Sequence, residues 1–142
     1  LFQGMTPYEV RKAILISELR EVAAGDRLIE QGTTGRSMYL VVSGELEVVR
    51  RDDGGERRLA LLRPGDVLGE IGFIRATLRT ADVRALGPVS VLRFDRDKLA
   101  SDLRFFPRIA AKLNFNISCV LGQRLAELVE SDDAGHAARR AE

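Results

Sequence analysis

The chain has 142 residues, of which 45% are hydrophobic and 30% are charged, and this is enough for one domain with a hydrophobic core. Its 22 lysines and arginines nearly balance its 21 aspartates and glutamates, so direct nucleic-acid binding is not expected. The single cysteine, Cys119, excludes an intrachain disulfide and a cysteine zinc site, and no apolar run reaches the ~18 residues of a membrane span.

The N-terminal segment predicts a short helix. Residues 1–4, with the sequence LFQG, look like the remnant of an engineered protease site, and we exclude them from the predicted domain. Thr6 is suited to cap a helix, Pro7 fits the first turn, and Glu9 completes a capping box with Thr6. The helix is expected to run to about Ser17 because apolar residues follow at helical spacing.

Between positions 19 and 99 the pattern changes to short apolar segments separated by turn signals. The segments lie at 27–30, 38–42, 46–50, 59–62, 81–86 and 89–94. Glycine and proline recur in the intervening stretches, where they supply positive φ or a fixed φ for turns. The dipeptide Asp53-Gly54 separates two of the segments and predicts a hairpin. Many short strands at this spacing indicate a β-sandwich, barrel or roll.

From about position 100 to 130 the apolar pattern becomes helical and occupies two faces. One stripe contains Ile109, Leu113, Ile117, Leu121, Leu125 and Leu128, and the second contains Ala111, Phe115, Cys119, Gly122, Ala126 and Val129. A helix that is apolar on two sides needs two partners. The β-rich part is expected to be one, and the other could be a lid over a ligand, another helix or a second subunit, which leaves a homodimer open.

Three features of this C-terminal region carry further expectations. Gly122 is unfavourable within a helix and predicts a joint between two helices. Cys119 is expected to be a small buried hydrophobic residue. Residues 131–142 have no apolar stripe, and we expect them to form a disordered tail.

The segment LGEIGFIRATLRTA at positions 68–81 carries the chemistry. Gly69 allows close approach of a backbone to a ligand, and Glu70 begins a stretch long enough for one or two helical turns, whose first amides attract an anion. The guanidinium of Arg79 can bind two phosphate oxygens at once, and Thr80 adds a hydroxyl. Together these groups suit a ligand with a phosphate at one end and hydroxyls nearby.

This segment resembles the phosphate-binding cassette of cyclic-nucleotide-binding domains. The ten-residue step from Gly69 to Arg79 fits the register of that family, and so do the glycine spacing of 25–49, which includes Tyr39, and the turn RPGDVLGE at 63–70. The resemblance covers about 19–99. It implies a mainly β fold, an eight-stranded antiparallel, jelly-roll-like β-roll with an N-terminal helix, a short cassette helix and C-terminal helices at about 100–130, in one domain at 5–130.

The resemblance also implies the role of each cassette residue. Arg79 is expected to pair with the cyclic phosphate, and Glu70 to accept a hydrogen bond from the ribose 2′-hydroxyl. Backbone N–H groups near Ile71 and Gly72 are expected to complete the phosphate cradle. Leu78 stands where the family usually has a proline, which leaves the binding chemistry intact but affects its preorganisation.

The remaining predicted ligand contacts concern the sugar and the base. Leu68, Ile71 and Val83 are expected to form apolar walls, and Ala81 occupies the last position of the cassette motif. Thr80 stands where the family carries Ala, Ser or Thr, so it is compatible with cAMP and with cGMP. Arg124, with Gln123 beside it in the last helix, could cap the purine.

The expected function is that of a regulatory sensor, and not of an enzyme. The one histidine, His136, lies in the tail, so no metal or nucleophile partner is available in the body. The resemblance implies no cofactor, with cAMP or cGMP as ligand, and a C-terminal helix that transmits occupancy to an effector. A cytoplasmic location is expected, with a channel, transporter or enzyme as effector. The alternative is the sensor half of a catabolite-activator-type transcription regulator, whose DNA-reading part this sequence has no room for.

Overall fold

The computed structural model describes residues 1–75 and 77–141, and side chains up to position 130. The helices are α1 (Pro7–Ile16), α2 (Glu70–Ile74), α3 (Arg96–Asp102) and α4 (Pro107–Ala141), with a 3₁₀ turn at Leu103–Phe105. The strands are β1 (Glu18–Val22), β2 (Arg27–Ile29), β3 (Ser37–Ser43), β4 (Leu46–Asp52), β5 (Gly55–Leu62), β6 (Val67–Leu68), β7 (Asp82–Ala85) and β8 (Val89–Asp95).

The strands form two four-stranded sheets in which all pairs are antiparallel. One sheet has the order β1-β8-β3-β6 and the other β2-β7-β4-β5. This confirms the predicted eight-stranded antiparallel roll with flanking helices. The predicted hairpin is also confirmed, because β4 pairs with β5 and Asp52 lies opposite Gly55 across the Asp53-Gly54 turn.

The two faces of the first sheet serve two different cores. Successive side chains of a strand point to opposite faces, so Val91 of β8 joins the core between the sheets while Leu92 and Phe94 join a core under the helices. Leu113 and Ile117 of α4 are fully buried in that second core. Leu1 and Phe2, which we excluded from the predicted domain, pack against its edge. The sheet thus fixes α4 on one side and shapes the interior of the roll on the other.

Helix α1 begins as predicted. The Thr6 hydroxyl accepts a hydrogen bond from the Glu9 N–H at 3.2 Å, and Glu9 Oε1 accepts one from the Thr6 N–H at 2.9 Å, which forms the capping box. The helix ends at Ser17, whose N–H donates to the carbonyl of Ala13. The chain then leaves directly into β1.

Helix α4 differs from the expectation in two respects. The joint predicted at Gly122 is wrong, because α4 runs unbroken over 35 residues. The expected burial of Cys119 is wrong as well, because this residue is exposed. Only the first half of one apolar stripe is covered: Ile109, Leu113 and Ile117 are buried, whereas Leu125 and Leu128 at the end of that stripe are exposed, and Phe115 on the other stripe is 68% exposed.

The strands β1 and β6 lie outside the predicted apolar segments. β1 has the sequence ELREV and is mostly exposed, and β6 has only two residues, so neither shows an apolar pattern. The tail at 131–142, expected to be disordered, continues α4 in its backbone as far as Ala141. None of the helices in the described part of the chain has an apolar stretch long enough to cross a bilayer.

One ion pair joins the first helix to the last. Lys112 of α4 donates to Glu9 Oε1 at 2.6 Å, and this hydrogen bond, together with those from Thr6, holds the pKa of Glu9 below its usual value. A carboxyl group with a lowered folded pKa stabilises the fold above its unfolded pKa, and this contribution is lost as the pH falls through the folded pKa. The contact should therefore stabilise the protein at neutral pH, and this stabilisation should be lost in acid, where Glu9 is protonated.

We expect Glu9→Gln to lower the melting temperature by a few degrees at pH 7 and to have almost no effect once the pH is well below ~4, the range in which an unfolded glutamate is protonated. Thermal unfolding of both proteins across this pH range measures the difference. Glu21→Gln, an exposed position in β1, is the control. A Glu9→Gln effect that does not change with pH would contradict the assignment.

Candidate functional site

The beginning of α2 is built by two glycines that a neighbouring loop approaches closely. Gly69 has φ +77°, in the left-handed region, and a Cβ there would lie 2.9 Å from the Ser37 carbonyl oxygen. A Cβ at Gly72 would lie 2.9 Å from the Gly35 carbonyl oxygen. Both positions therefore require glycine, and the loop between β2 and β3 packs against α2.

In the described part of the chain, Arg79 is held by its backbone, and its side chain donates only to carbonyl groups. Its N–H donates to the Thr33 carbonyl at 2.7 Å, and its carbonyl accepts from the Gly32 N–H at 2.8 Å. The guanidinium donates to the carbonyls of Gly69 at 3.1 Å and Ser37 at 2.7 Å. Burial lowers the pKa of Arg79. A partly desolvated cation with neutral acceptors alone is a favourable partner for an anion.

A cavity of about 530 Å³ opens beside Arg79 and contains Tyr39 in its wall. Four other arginines line it, and each has a carboxylate within ion-pair distance: Arg20 and Arg93 at Glu18, Arg27 at Glu30 and Arg36 at Asp97. In the described part of the chain, Arg79 is thus the one lining arginine without a carboxylate partner. Of the arginines that line this cavity, Arg79 is therefore the one whose positive charge no nearby carboxylate neutralises.

Glu70, the first residue of α2, is 2% exposed. Its Oε1 accepts a hydrogen bond from the guanidinium of Arg124, which also donates to the Val67 carbonyl. Burial lowers the pKa of Arg124. The second oxygen, Glu70 Oε2, is buried and has no hydrogen-bond partner among the described residues. Since a buried acceptor without a donor is costly, this oxygen is suited to accept a hydrogen bond from a ligand hydroxyl.

The other predicted site residues divide into buried and exposed ones. Leu68, Ala81 and Val83 are buried, and Leu68 and Val83 belong to the core between the sheets. Ile71 is 60% exposed, so its side chain lies outside the core, and its expected contact with the sugar and base stays a prediction. Thr80 is also exposed. The structure therefore brings Leu68, Gly69, Glu70, Gly72, Arg79 and Arg124 together around the β6–α2 junction.

Two structural supports of the site were not predicted from the sequence. Ser37 and Gly35, at the start of β3 and in the loop before it, provide the carbonyl contacts that position Arg79 and α2. The signal that could have indicated them is the glycine-rich turn at 32–35. Leu78, in place of the family's proline, forms an antiparallel bridge with Thr34, so backbone pairing holds the approach to Arg79.

Comparisons with known proteins agree on the family. The profile of the cyclic nucleotide-binding domain matches residues 19–103. The chain is 34% identical over 128 residues to the cyclic AMP receptor protein of Thermus thermophilus, with 89% of this chain and 57% of that protein covered. It is 46% identical over 69 residues to an uncharacterized ABC transporter ATP-binding protein of Mycobacterium bovis, with 48% and 21% covered.

Among solved structures, the fold is similar to that of the Thermus thermophilus catabolite activator protein. The TM-score is 0.81 at 32% sequence identity, and the match covers 93% of this chain and 61% of that one. The chain thus spans less than two thirds of the length of the relatives that it matches over most of its own length.

The contact between Arg124 and Glu70 should contribute to stability as a pair. Arg124→Gln leaves both oxygens of a buried carboxylate without a cation, so we expect a loss of about 1–3 kcal/mol in the free energy of unfolding. Glu70→Gln combined with Arg124→Gln should recover part of this loss, because the uncompensated charge is gone. Denaturant unfolding of the single and double variants measures the cycle.

Arg108→Gln, at an exposed position of the same helix, is the matched control. If Arg124→Gln costs no more than this control, or if the two changes at Glu70 and Arg124 simply add, the contact does not couple α4 to the site.

Proposed function

The chain belongs to the cyclic nucleotide-binding domain family, and we propose that it senses a cyclic purine mononucleotide, cAMP or cGMP, at the β6–α2 junction. One observation carries the proposal: at the beginning of the same short helix, and among the described residues, the partly buried guanidinium of Arg79 has no carboxylate partner and a buried carboxylate oxygen of Glu70 has no donor. Arg79 suits a phosphate, and Glu70 Oε2 suits a hydroxyl. A ribose cyclic monophosphate carries both groups on one rigid ring.

In the proposed complex, the cyclic phosphate accepts hydrogen bonds from Arg79 and from the first N–H groups of α2, at Ile71 and Gly72. The ribose 2′-hydroxyl donates to Glu70 Oε2. Leu68 and Val83 provide apolar contacts for the sugar and base, and Ala81 keeps the wall small beside them. Thr80 offers its hydroxyl from an exposed position, which suits either purine.

We propose that the response passes through Arg124. Glu70 accepts from Arg124 through one oxygen and offers the other to the ligand, so the position of α4 and the occupancy of the site depend on the same carboxylate. A ligand that binds better when α4 is in one position shifts the population towards that position. By reciprocity, anything that holds α4 in that position increases the affinity for the nucleotide.

In this proposal the site binds its ligand and does not catalyse a reaction on it. Its charged side chains are Arg79, Arg124 and a carboxylate that already accepts from Arg124, and none of these is arranged as a nucleophile with a base. A cytoplasmic location is the corresponding proposal, because Cys119 is an exposed free thiol, which suits a reducing compartment.

The effector is proposed in two alternative forms. The similarity to the cyclic AMP receptor protein over 89% of the chain favours the sensor part of a transcription regulator. The shorter similarity to an ABC transporter ATP-binding protein supports the other form, a regulatory module of a transporter, channel or enzyme. Because the first similarity covers most of the chain, including α4, we favour the regulator.

We also propose that the chain forms a homodimer through α4. Of its two apolar stripes, the one with Phe115 and Val129 is exposed, and Leu125 at the end of the other stripe is 64% exposed. Exposed large apolar residues that follow one helix face mark an interaction surface. The first stripe already packs on the roll through Ile109, Leu113 and Ile117, so the second stripe is the one that needs a partner.

Removal of the Arg79 guanidinium should abolish binding. We expect calorimetric titration of the protein with cAMP and with cGMP to show micromolar or tighter binding of at least one, and Arg79→Gln to weaken it by roughly 100-fold or more, because a charge-assisted bidentate contact is lost. Arg96→Gln is the matched control, since Arg96 also donates to two carbonyls of α2, those of Phe73 and Ile74. No heat with either nucleotide at millimolar concentration would overturn the proposal, as would equal losses in both variants.

Glu70 should recognise the ribose hydroxyl specifically. We expect the protein to bind the cyclic nucleotide roughly tenfold or more tightly than its 2′-deoxy analogue, because a hydrogen bond to an ionised acceptor is lost. In Glu70→Gln this preference should shrink markedly, whatever its overall affinity. Competition titrations with both ligands against both proteins give the ratio, and an unchanged ratio would assign the hydroxyl to another group.

A further inference from the structure

Asp82, the first residue of β7, is 1% exposed and carries a carboxylate that the proposed nucleotide contacts do not use. The other buried polar or charged residues in the described part of the chain, Glu9, Ser37 and Glu70, have the contacts given above. A buried carboxylate destabilises a fold unless hydrogen-bond donors and cations surround it. The groups bound to Asp82 therefore indicate what this carboxylate does.

The two oxygens of Asp82 have different partners. Oδ1 accepts a hydrogen bond from the backbone N–H of Gln31 at 2.7 Å. Oδ2 lies 2.9 Å from Nε of Arg51 and 3.8 Å from Nη1 of Arg27, and both of these arginine side chains are partly exposed. The arginines thus compensate the charge of Asp82 from the surface, while its shortest hydrogen bond holds the backbone just after β2.

The side chain of Gln31 makes a second connection at the same point. Its amide donates to the Arg51 carbonyl and accepts from the Arg51 N–H, both at 2.8 Å. Gln31 follows β2, Asp82 begins β7 and Arg51 lies near the end of β4. These three residues, which we call the Gln31–Arg51–Asp82 clamp, therefore join three neighbouring strands of one sheet at one end.

The turn that the clamp holds is the one that carries Arg79. Directly after Gln31, the N–H of Gly32 donates to the Arg79 carbonyl at 2.8 Å, and the carbonyl of Thr33 accepts from the Arg79 N–H at 2.7 Å. Arg79 is thus fixed on both sides of its Cα by the two residues that follow Gln31. Asp82 stands three positions after Arg79 on the same segment, so a displacement of Gln31 would move the backbone from which the guanidinium extends.

We propose that Asp82 is a positioning residue of the nucleotide site: through Gln31 it fixes the turn that holds Arg79 in place for the phosphate. This inference rests on the proposed function, in which Arg79 binds the phosphate, and Asp82 acts there without touching the ligand. A hydrogen-bonding side chain loses much of its contact when its support shifts it by a fraction of an ångström. Loss of Asp82 should therefore weaken the phosphate contact and leave recognition of the ribose by Glu70 unchanged.

Two substitutions of Asp82 separate its hydrogen bond from its charge. Asp82→Ala removes both, whereas Asp82→Asn keeps an oxygen that can accept from the Gln31 N–H. In calorimetric titrations with cAMP and with cGMP, we expect Asp82→Ala to bind roughly tenfold or more weakly than the parent protein, and Asp82→Asn to stay within about threefold of it. Glu47→Ala is the matched control and should bind like the parent, since Glu47 is a carboxylate of the same sheet that two arginines, Arg58 and Arg84, hold.

A double variant distinguishes positioning of Arg79 from a general loss of stability. In Arg79→Gln, where the phosphate contact is already gone, the addition of Asp82→Ala should weaken binding by less than about twofold. Asp82→Ala by itself should keep the preference for the ribose over the 2′-deoxy analogue, because that preference depends on Glu70. All titrations are made well below the melting temperature of each variant, so that only folded protein is compared.

Gln31→Met tests the clamp if Asp82→Ala does not fold. It removes the two hydrogen bonds to Arg51 and leaves the carboxylate of Asp82 with its arginines, and it should weaken binding by about threefold or more in the parent but not in Arg79→Gln. The proposal is overturned if the clamp variants bind as tightly as the parent, if Asp82→Asn loses as much as Asp82→Ala, or if the loss is equal with and without Arg79. A parent protein that binds neither nucleotide would instead overturn the proposed function, and this inference with it.

Discussion

The buried carboxylate of Glu70 is the constraint on which the rest of this molecule depends. A charged group at 2% exposure requires compensation, and the chain supplies it from a residue 54 positions away, Arg124 of α4. That single requirement ties the end of the roll to the C-terminal helix. It also leaves the site asymmetric, because among the described residues only one of the two oxygens accepts a hydrogen bond and the other has no donor.

The position of Arg79 in the candidate site follows from close packing of the backbone. Gly69 and Gly72 allow the β2–β3 loop and the start of β3 to approach α2 closely, and there the guanidinium of Arg79 donates to the carbonyls of Ser37 and Gly69. Carbonyls hold the cation in position without neutralising it, whereas a carboxylate would compete with an anionic ligand. The two glycines therefore determine the shape of the site and also leave the positive charge of Arg79 without a neutralising partner there.

The sequence predicts those features whose cause is local. The capping box at Thr6 and Glu9, the Asp53-Gly54 hairpin and the cassette helix each depend on residues within a few positions of one another, and all three appear in the structure. The failures concern distant partners. Gly122 costs only about 1 kcal/mol in a helix, which the surrounding turns of α4 outweigh, and the periodicity that placed Cys119 on an apolar stripe could not tell which stripe the roll would cover. The roles of Gly35 and Ser37 depend on contacts across the fold and leave only a glycine-rich turn as a signal.

The exposed stripe and the buried stripe of α4 together explain why one helix can serve two purposes. Its buried side, through Leu113 and Arg124, is fixed to the core and to Glu70; its other side, at Phe115 and Val129, is exposed among the described residues. If a second copy covers that exposed side, any shift of α4 that accompanies nucleotide binding must change the contact between copies, and the coupling free energy is the same in both directions. Dimer affinity and nucleotide affinity are then thermodynamically linked. In such a sensor α4 alone couples the ligand to the effector.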